Sequence, residues 1–242
     1  MANHRGLRIA AGAEESAGAC ARYVLESLEE TLKTKPFATF AISGGSTPKL
    51  LFARLAKADF DWSRVHFFWV DERCVPPDDG QSNFKLANDA LFIPAEVKHA
   101  NIHRILGELT PDEGAVHYIE EISKFFGLET GQLPEFDLIH RGMGPDGHTA
   151  SLFPGEPLIQ NRAGIAAAVW VEKMRSHRVT LLPGVLLKAQ HTILQVVGAD
   201  KAEILHQVLN GPDDPMQYPC QIAARNSDTA MWFLDKAAAS KL

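Results

Sequence analysis

The segment "PFATFAISGGSTPKLLFARLAKA", residues 36–58, predicts a strand, a tight turn and a helix in immediate succession. Its first part, "PFATFAIS", is a short apolar run typical of a buried strand, whereas "PKLLFARLAKA" spaces its apolar side chains as a helix does. Two glycines and a proline mark the turn between them. Units of this kind predict a parallel sheet, because a helix returns the chain to the start of the next strand.

The same alternation continues in both directions along the chain. Upstream, residues 11–32 repeat apolar side chains at helical spacing, which predicts a long helix. Downstream, "RVHFFWVD" (64–71) is apolar nearly throughout, as in a strand covered on both faces, and "EFDLI" (135–139) predicts a strand before a glycine-rich loop. Further strands are predicted at "AAAVWVE", "RVTLL", "TILQVVG" and "TAMWFLD", and further helices at residues 83–91, 111–126 and 200–209.

These elements predict an α/β fold with a mainly parallel, Rossmann-like sheet that has helices on both faces. No repeat, low-complexity segment or linker divides the chain, so residues 1–242 are expected to form a single domain. In open sheets of this kind, ligands bind beyond the carboxyl ends of the strands. Three polar loops fall at such ends: "SGGSTP", "DER" and "GMGPDGH".

Composition and charge exclude several classes of partner. The net charge of −6 argues against a nucleic-acid partner, which would require a basic stripe. The three cysteines are far apart and form no paired motif, which suits a reducing compartment. Neither an apolar signal region nor a run of ~18 apolar residues is present. We therefore expect a cytoplasmic protein with no membrane partner.

The first loop, "SGGSTPK", is a candidate phosphate cradle. Gly44 and Gly45 would let the backbone approach an anion, with Ser46 in the turn, Thr47 as the helix N-cap and Pro48 in the first helical position. The alternative is an ordinary strand-to-helix turn with a good cap. The ending of a Walker loop is missing.

Two later cations are candidates to strengthen this cradle. Arg178 begins the predicted strand "RVTLL", and Lys201 opens the helix in "GADKAEIL". The alternative for each is a solvated surface charge, the usual environment of Lys and Arg.

The loop "GMGPDGHTASLFPG" (142–155) has the spacing of a dinucleotide-binding turn, with glycines at Gly142, Gly144 and Gly147. That interpretation requires a helix to follow at once, but two prolines lie within the next ten residues. Asp146 would also place a negative charge inside the bend that holds the phosphates. We therefore reject the dinucleotide interpretation.

The same loop carries a carboxylate and an imidazole two residues apart. An imidazole can accept a proton under cellular conditions, so His148 is a candidate general base for a water molecule, and Asp146 would fix its tautomer. The alternative is that Asp146 only caps a turn and His148 is an ordinary loop histidine.

The "DER" loop supplies a third candidate group. Arg73 could bind a carboxylate or phosphate, or stabilise an oxyanion, and Asp71 could orient Arg73 or a sugar hydroxyl. The alternative is a local surface ion pair. No metal site is expected, since His99 and His103 have no acidic or thiol partner nearby in sequence.

Taken in order, "SGGSTP", "WVDERCVPPDDGQSNF", "GMGPDGHTASLFPG", "RVTL" and "GADKAEIL" resemble the 6-phosphogluconolactonase family, from about residue 37 to the "WFLDKAA" ending. The resemblance implies the sugar-phosphate isomerase/deaminase type of fold and cofactor-free hydrolysis of 6-phospho-D-glucono-1,5-lactone in the oxidative pentose phosphate pathway. It implies His148 as the base, Asp146 as its orienting partner and Arg73 beside the reacting carbonyl. It assigns the 6-phosphate to Gly44, Gly45, Ser46, Thr47, Arg178 and Lys201.

Two other functions stay open. The related isomerase/deaminase group has Asp-Glu-Tyr where this chain has Asp71-Glu72-Arg73, and a glutamate after Asp-Gly-His that "TASLFPG" lacks. A non-catalytic sugar-phosphate sensor is the other alternative. We expect a monomer or weak homo-oligomer. The chain departs from the family at His140 and Arg141, where family members usually have apolar residues, and at Gly184 and Lys188.

Overall fold

Two β-sheets organise the computed structural model, which describes residues 6–222 and 230–242. A six-stranded sheet and a three-stranded sheet are formed by strands that follow one another in this chain order: β1 (Leu7–Ala10), β2 (Ala38–Ile42), β3 (Val65–Trp69), β4 (Asp71–Arg73), β5 (Leu138–Gly142), β6 (Ala166–Val171), β7 (Ser176–Leu181), β8 (His191–Val196) and β9 (Ala230–Asp235). The six-stranded sheet is parallel throughout, in the order β1-β9-β8-β5-β2-β3. The predicted fold class is confirmed.

Helices cover both faces of this sheet. The α-helices of the described residues are α1 (Ala13–Thr34), α2 (Ser46–Leu55), α3 (Asn83–Ala87), α4 (Pro111–Phe126), α5 (Pro183–Lys188) and α6 (Ala202–Asn210). Neighbouring residues on β8 point to opposite faces, with Ile193 in the apolar core that includes α1 and Leu194 in the core that includes α6. None of the described helices is long and apolar enough to cross a membrane.

The three-stranded sheet corrects part of the prediction. "RVTLL" and "AAAVWVE" were predicted to belong to the main sheet, but β7 and β6 pair antiparallel with each other, and β4 pairs antiparallel with β7. Residues 172–175 connect β6 to β7. A parallel pair needs a crossover of about a dozen residues, so this short connection permits only a hairpin.

The predicted strand "RVHFFWVD" is interrupted at Val70, where the chain passes from one sheet to the other. The N–H of Val70 donates to the carbonyl of Ile42 at 2.9 Å, and its own carbonyl accepts from the N–H of Leu181 at 2.8 Å. "DER" is therefore a strand of the second sheet and not a loop that ends the first.

The strand order places a crevice between β2 and β5. After β2 the chain moves outward to β3 and later returns to β5 on the other side of β2. Connections that leave in opposite directions open a gap at the carboxyl ends of the strands, where ligands bind in such folds. The loops after β2 and β5 meet at this gap.

Candidate active site

A cavity of about 370 Å³ occupies this crevice. Its walls come from the loops after β2, β5 and β8 and from the second sheet. All the predicted site residues except Asp146 line it: Gly44, Gly45, Ser46, Thr47, Asp71, Arg73, His148, Arg178 and Lys201. Loops up to 157 residues apart in sequence, from Gly44 to Lys201, thus reach one cavity.

The predicted cradle contains the start of α2, although its cap differs from the prediction. Helix α2 begins at Ser46, and Gly45 is the N-cap, with φ of 110°. Thr47 therefore lies inside the first turn and is not the cap. Because glycine adopts this φ without strain, the helix can begin two residues earlier than predicted. The free N–H groups of the first turn and the helix dipole favour an anion at this end.

Gly44 makes room for a protein side chain. A Cβ atom at Gly44 would collide with the side-chain amide of Asn83, and the Nδ2 of Asn83 donates to the carbonyl of Asp71 at 2.9 Å. The amide thus packs the cradle against the second sheet, and Asn83 also lines the cavity. Sequence reasoning missed Asn83, although it stands in the quoted motif that ends in "QSNF".

Glu72 organises the loop that carries Asn83. Its buried carboxylate accepts from the N–H groups of Arg73, Asn83 and Phe84 and from the hydroxyl of Ser82, at 2.7–3.0 Å. Burial raises the pKa of Glu72, and these four donors act in the opposite direction. Glu72 is a structural residue that fixes the segment between Arg73 and α3.

The predicted Asp146–His148 pair is present. The Nδ1 of His148 lies 2.5 Å from Oδ1 of Asp146, behind the cavity wall. The imidazole stacks on Phe153, with ring centroids 4.1 Å apart, and a Cβ atom at Gly144 would collide with its other face. A glycine is therefore required at position 144 because the imidazole ring lies against it, and not because a pyrophosphate would contact it. No helix follows the turn at once, since residues 148–156 are not helical.

Asp146 stays ionised at neutral pH. Burial alone would raise its pKa, but the hydrogen bond and charge of His148, together with the ammonium of Lys173 at 3.2 Å from Oδ2, hold the pKa well below its usual range. A carboxylate at this distance requires Nδ1 to carry a hydrogen. In neutral His148 the lone pair then resides on Nε2.

Arg73 and Arg178 are register partners on β4 and β7, so their side chains leave the same face of the second sheet. The Nη1 of Arg73 donates to the carbonyl of Gln81 at 2.6 Å, while the Nη1 of Arg178 lies 3.8 Å from Oδ2 of Asp71. Asp71 therefore approaches Arg178 and not Arg73, contrary to one predicted role. Each guanidinium has a buried Nε without a hydrogen-bond partner among the described residues.

These two arginines are not solvated surface charges. The side chain of Arg178 is 7% exposed. Burial lowers its pKa, Asp71 raises it, and Arg73 lowers it again. Like charges placed opposite each other on paired strands repel, and the buried carboxylate of Asp71 lies near Arg178 alone. This face of the cavity therefore favours an anion.

Lys201 also lines the cavity, just before α6. Its side chain is 19% exposed, and its ammonium lies 3.1 Å from the exposed carboxylate of Asp200. The ammonium of Lys201 is therefore held at the cavity, and the carboxylate that pairs with it is also exposed to water.

The unusual residues before the Gly-Met-Gly turn are buried. His140 and Arg141 are both 0% exposed, and none of their side-chain nitrogens has a hydrogen-bond partner among the described residues. Burial lowers the pKa of His140 to about 4 and that of Arg141 to about 10. They lie on β5, the last strand before His148, and do not line the cavity.

The other two departures have a local explanation. A Cβ atom at Gly184 would collide with the carbonyl of Arg162, and the ammonium of Lys188 donates to the carbonyl of Leu133 at 2.9 Å. Both contacts pack α5 against neighbouring loops and do not reach the cavity.

The chain is similar to known proteins in both sequence and fold. A family model described as "Glucosamine-6-phosphate isomerases/6-phosphogluconolactonase" matches residues 11–232. The chain is 36% identical over 201 residues to a 6-phosphogluconolactonase of Treponema pallidum, covering 82% of this chain and 83% of that protein. It is 39% identical over 207 residues to a 6-phosphogluconolactonase of Haemophilus influenzae, covering 82% and 84%. The crystal structure of a 6-phosphogluconolactonase from Thermotoga maritima superposes with a TM-score of 0.81 at 28% identity, covering 95% of this chain and 98% of that one.

Proposed function

The chain belongs to the glucosamine-6-phosphate isomerase/6-phosphogluconolactonase family, and from that premise we propose that it hydrolyses 6-phospho-D-glucono-1,5-lactone to 6-phosphogluconate in the oxidative pentose phosphate pathway. The observation that carries the proposal is the contact between His148 and the ionised Asp146. His148 lines a cavity that is also lined by a helix N-terminus and three cationic side chains. Lactone hydrolysis requires these groups: a base for water, a partner for the oxyanion and a site for the phosphate.

In the proposed reaction, Nε2 of His148 takes a proton from a water molecule whose oxygen attacks C1 of the lactone. The bond between C1 and the ring oxygen breaks, and the ring oxygen receives the proton from the imidazolium. Asp146 stabilises the imidazolium and holds the tautomer that leaves Nε2 free. One general base contributes about 10²–10⁴-fold to such a reaction.

The 6-phosphate of the substrate, and the oxyanion that forms at C1 during the reaction, match the cationic groups that line the cavity. The 6-phosphate would lie at the N-terminus of α2, where Gly44, Gly45, Ser46 and Thr47 present backbone N–H groups. Lys201 and Arg178, which line the same cavity, would neutralise its charge. Arg73 would lie beside the carbonyl oxygen that becomes negative.

The structure favours the lactonase over the isomerase/deaminase members of the family. Among the described residues, Asp146 is the carboxylate that contacts His148. A ring-opening histidine assisted by a second carboxylate would need another acid in the "TASLFPG" segment, and that segment contains none. Arg73 also stands where the deaminase pattern has a tyrosine.

The proposal is tested by supplying the lactone continuously with glucose-6-phosphate dehydrogenase and following its opening above the spontaneous rate. We expect turnover by the wild type and a loss of about 10²–10⁴-fold in kcat for His148→Asn. A folded His148→Asn protein with wild-type kcat would remove the base. Release of ammonia from glucosamine 6-phosphate would support a deaminase, and tight binding of 6-phosphogluconate without turnover would support a sensor.

A further inference from the structure

Ser151 joins the loop of the base to the sheet of the arginines. It lies three residues after His148 and is fully buried. Its hydroxyl donates to Oδ2 of Asp71 at 2.6 Å, and its N–H donates to Oγ1 of Thr180 at 3.2 Å. Asp71 and Thr180 are register partners on β4 and β7. The loop is therefore docked on the face from which the two guanidinium groups leave.

The oxygen that Ser151 contacts is the one that faces Arg178. The distance of 3.8 Å between Oδ2 of Asp71 and Nη1 of Arg178 is longer than the roughly 2.7–2.9 Å of a charge-assisted hydrogen bond. The short contact from the hydroxyl holds the carboxylate toward the loop. Arg178 therefore lies near a counter-ion without a close hydrogen bond to it. Its Nε has no hydrogen-bond partner among the described residues.

The segment before Ser151 is strained. Ala150 has φ of 51°, in the left-handed region that a residue with a side chain rarely adopts, and it lines the cavity. Such a conformation persists when neighbouring contacts determine it. The two hydrogen bonds of Ser151 are contacts of this kind, on the residue that follows directly.

We propose that Ser151 is a positioning residue that holds the Asp71 carboxylate away from Arg178, so that the guanidinium remains available to the substrate. The inference rests on the proposed function, in which Arg178 binds the phosphate. Without the hydroxyl, Oδ2 of Asp71 would lose its closest donor and turn to Arg178. The resulting ion pair would compete with the substrate for the guanidinium.

The test compares Ser151→Ala and Ser151→Cys with Ser16→Ala in the coupled lactone assay. Alanine has nearly the volume of serine but no donor, whereas cysteine is larger and a weak donor, so an effect shared by both variants reports the lost hydrogen bond and not a change in packing. Ser16 is a matched control because it is also fully buried, it lies on α1 outside the site, and its hydroxyl has no partner among the described residues. We expect KM to rise about tenfold in both Ser151 variants, as for the loss of one contact to a charged group, with kcat changed less than about threefold. We expect wild-type values for Ser16→Ala.

A crystal structure of Ser151→Cys supplies a readout that a merely structural role would not change. The distance from Arg178 Nη1 to Asp71 Oδ2 should shorten to about 2.9 Å. Unchanged KM in both Ser151 variants, or a distance that stays near 3.8 Å, would overturn the inference. If the wild type does not open the lactone, the proposed function fails separately. The distance in the variant and the thermal shift produced by 6-phosphogluconate then still decide the role of Ser151.

Discussion

His140 is expected to make the folded protein sensitive to mild acid. Its ring is fully buried, neither nitrogen has a hydrogen-bond partner among the described residues, and burial lowers its pKa from 6.5 to about 4. The folded protein therefore keeps the ring neutral where the unfolded chain protonates it. This contribution to stability is complete above pH 6.5 and is lost as the pH falls toward 4.

The shift sets the magnitude of the effect. One pKa unit corresponds to about 1.4 kcal/mol, so the free energy of unfolding should fall by roughly 2–3 kcal/mol between pH 7.5 and pH 4.5 through this one group. Replacing His140 by leucine, which has a similar volume and does not titrate, should remove this fall. The variant should also be more stable at neutral pH by about 1–3 kcal/mol, since it no longer buries unpaired polar atoms.

Urea denaturation at pH 7.5, 5.5 and 4.5 measures the effect as the difference between wild type and His140→Leu. Other groups that titrate in this range contribute to both proteins and cancel in the difference. His117→Leu is the control, because His117 is exposed on α4 and the same substitution there leaves the interior unchanged. If wild type and His140→Leu lost the same free energy between pH 7.5 and 4.5, the ring could not be a buried neutral group.

Three further predictions concern the site. Asp146→Asn should lower kcat by about 10²–10⁴-fold, because an amide that donates to Nδ1 of His148 leaves the hydrogen on Nε2; unchanged kcat in the coupled assay would contradict the orienting role. Arg178→Ala and Lys201→Ala should raise KM more than they lower kcat, and equal losses for phosphorylated and unphosphorylated lactones would argue against the phosphate assignment. Gly144→Ala should displace the imidazole and lower kcat by at least about tenfold. Gly12→Ala, where an added Cβ meets no atom within 4 Å, should retain wild-type kcat.

Local signals in the sequence were sufficient where the structure depends on near neighbours. Helix α4 has the predicted bounds because Thr110 and Glu113 form a capping box around Pro111, and Gly127 ends the helix in a left-handed conformation. The N-cap of α2 was predicted at Thr47 and lies at Gly45. The positive φ of Gly45 arises in the folded turn, and the sequence alone does not indicate it.

Contacts between distant segments were the part that the sequence could not predict. Motif spacing placed the candidate residues at one edge of the sheet, and the cavity confirms that they meet there. Nothing in the spacing indicated that Asn83 would fill the space beside Gly44, or that Asp71 would contact Ser151 and approach Arg178. These contacts depend on how the second sheet packs against the first.

The division of the site between two sheets explains why its cations and its base can have opposite requirements. The base needs a carboxylate, and Asp146 supplies it from the same loop of the parallel sheet, behind the cavity wall. The two arginines attract an anion only if nearby carboxylates do not neutralise their charge. They project from the antiparallel sheet, where the carboxylate of Glu72 accepts hydrogen bonds from the segment that leads into α3. Because the two groups come from separate sheets, the relative position of the sheets determines the distance between the proposed base, His148, and the proposed oxyanion partner, Arg73.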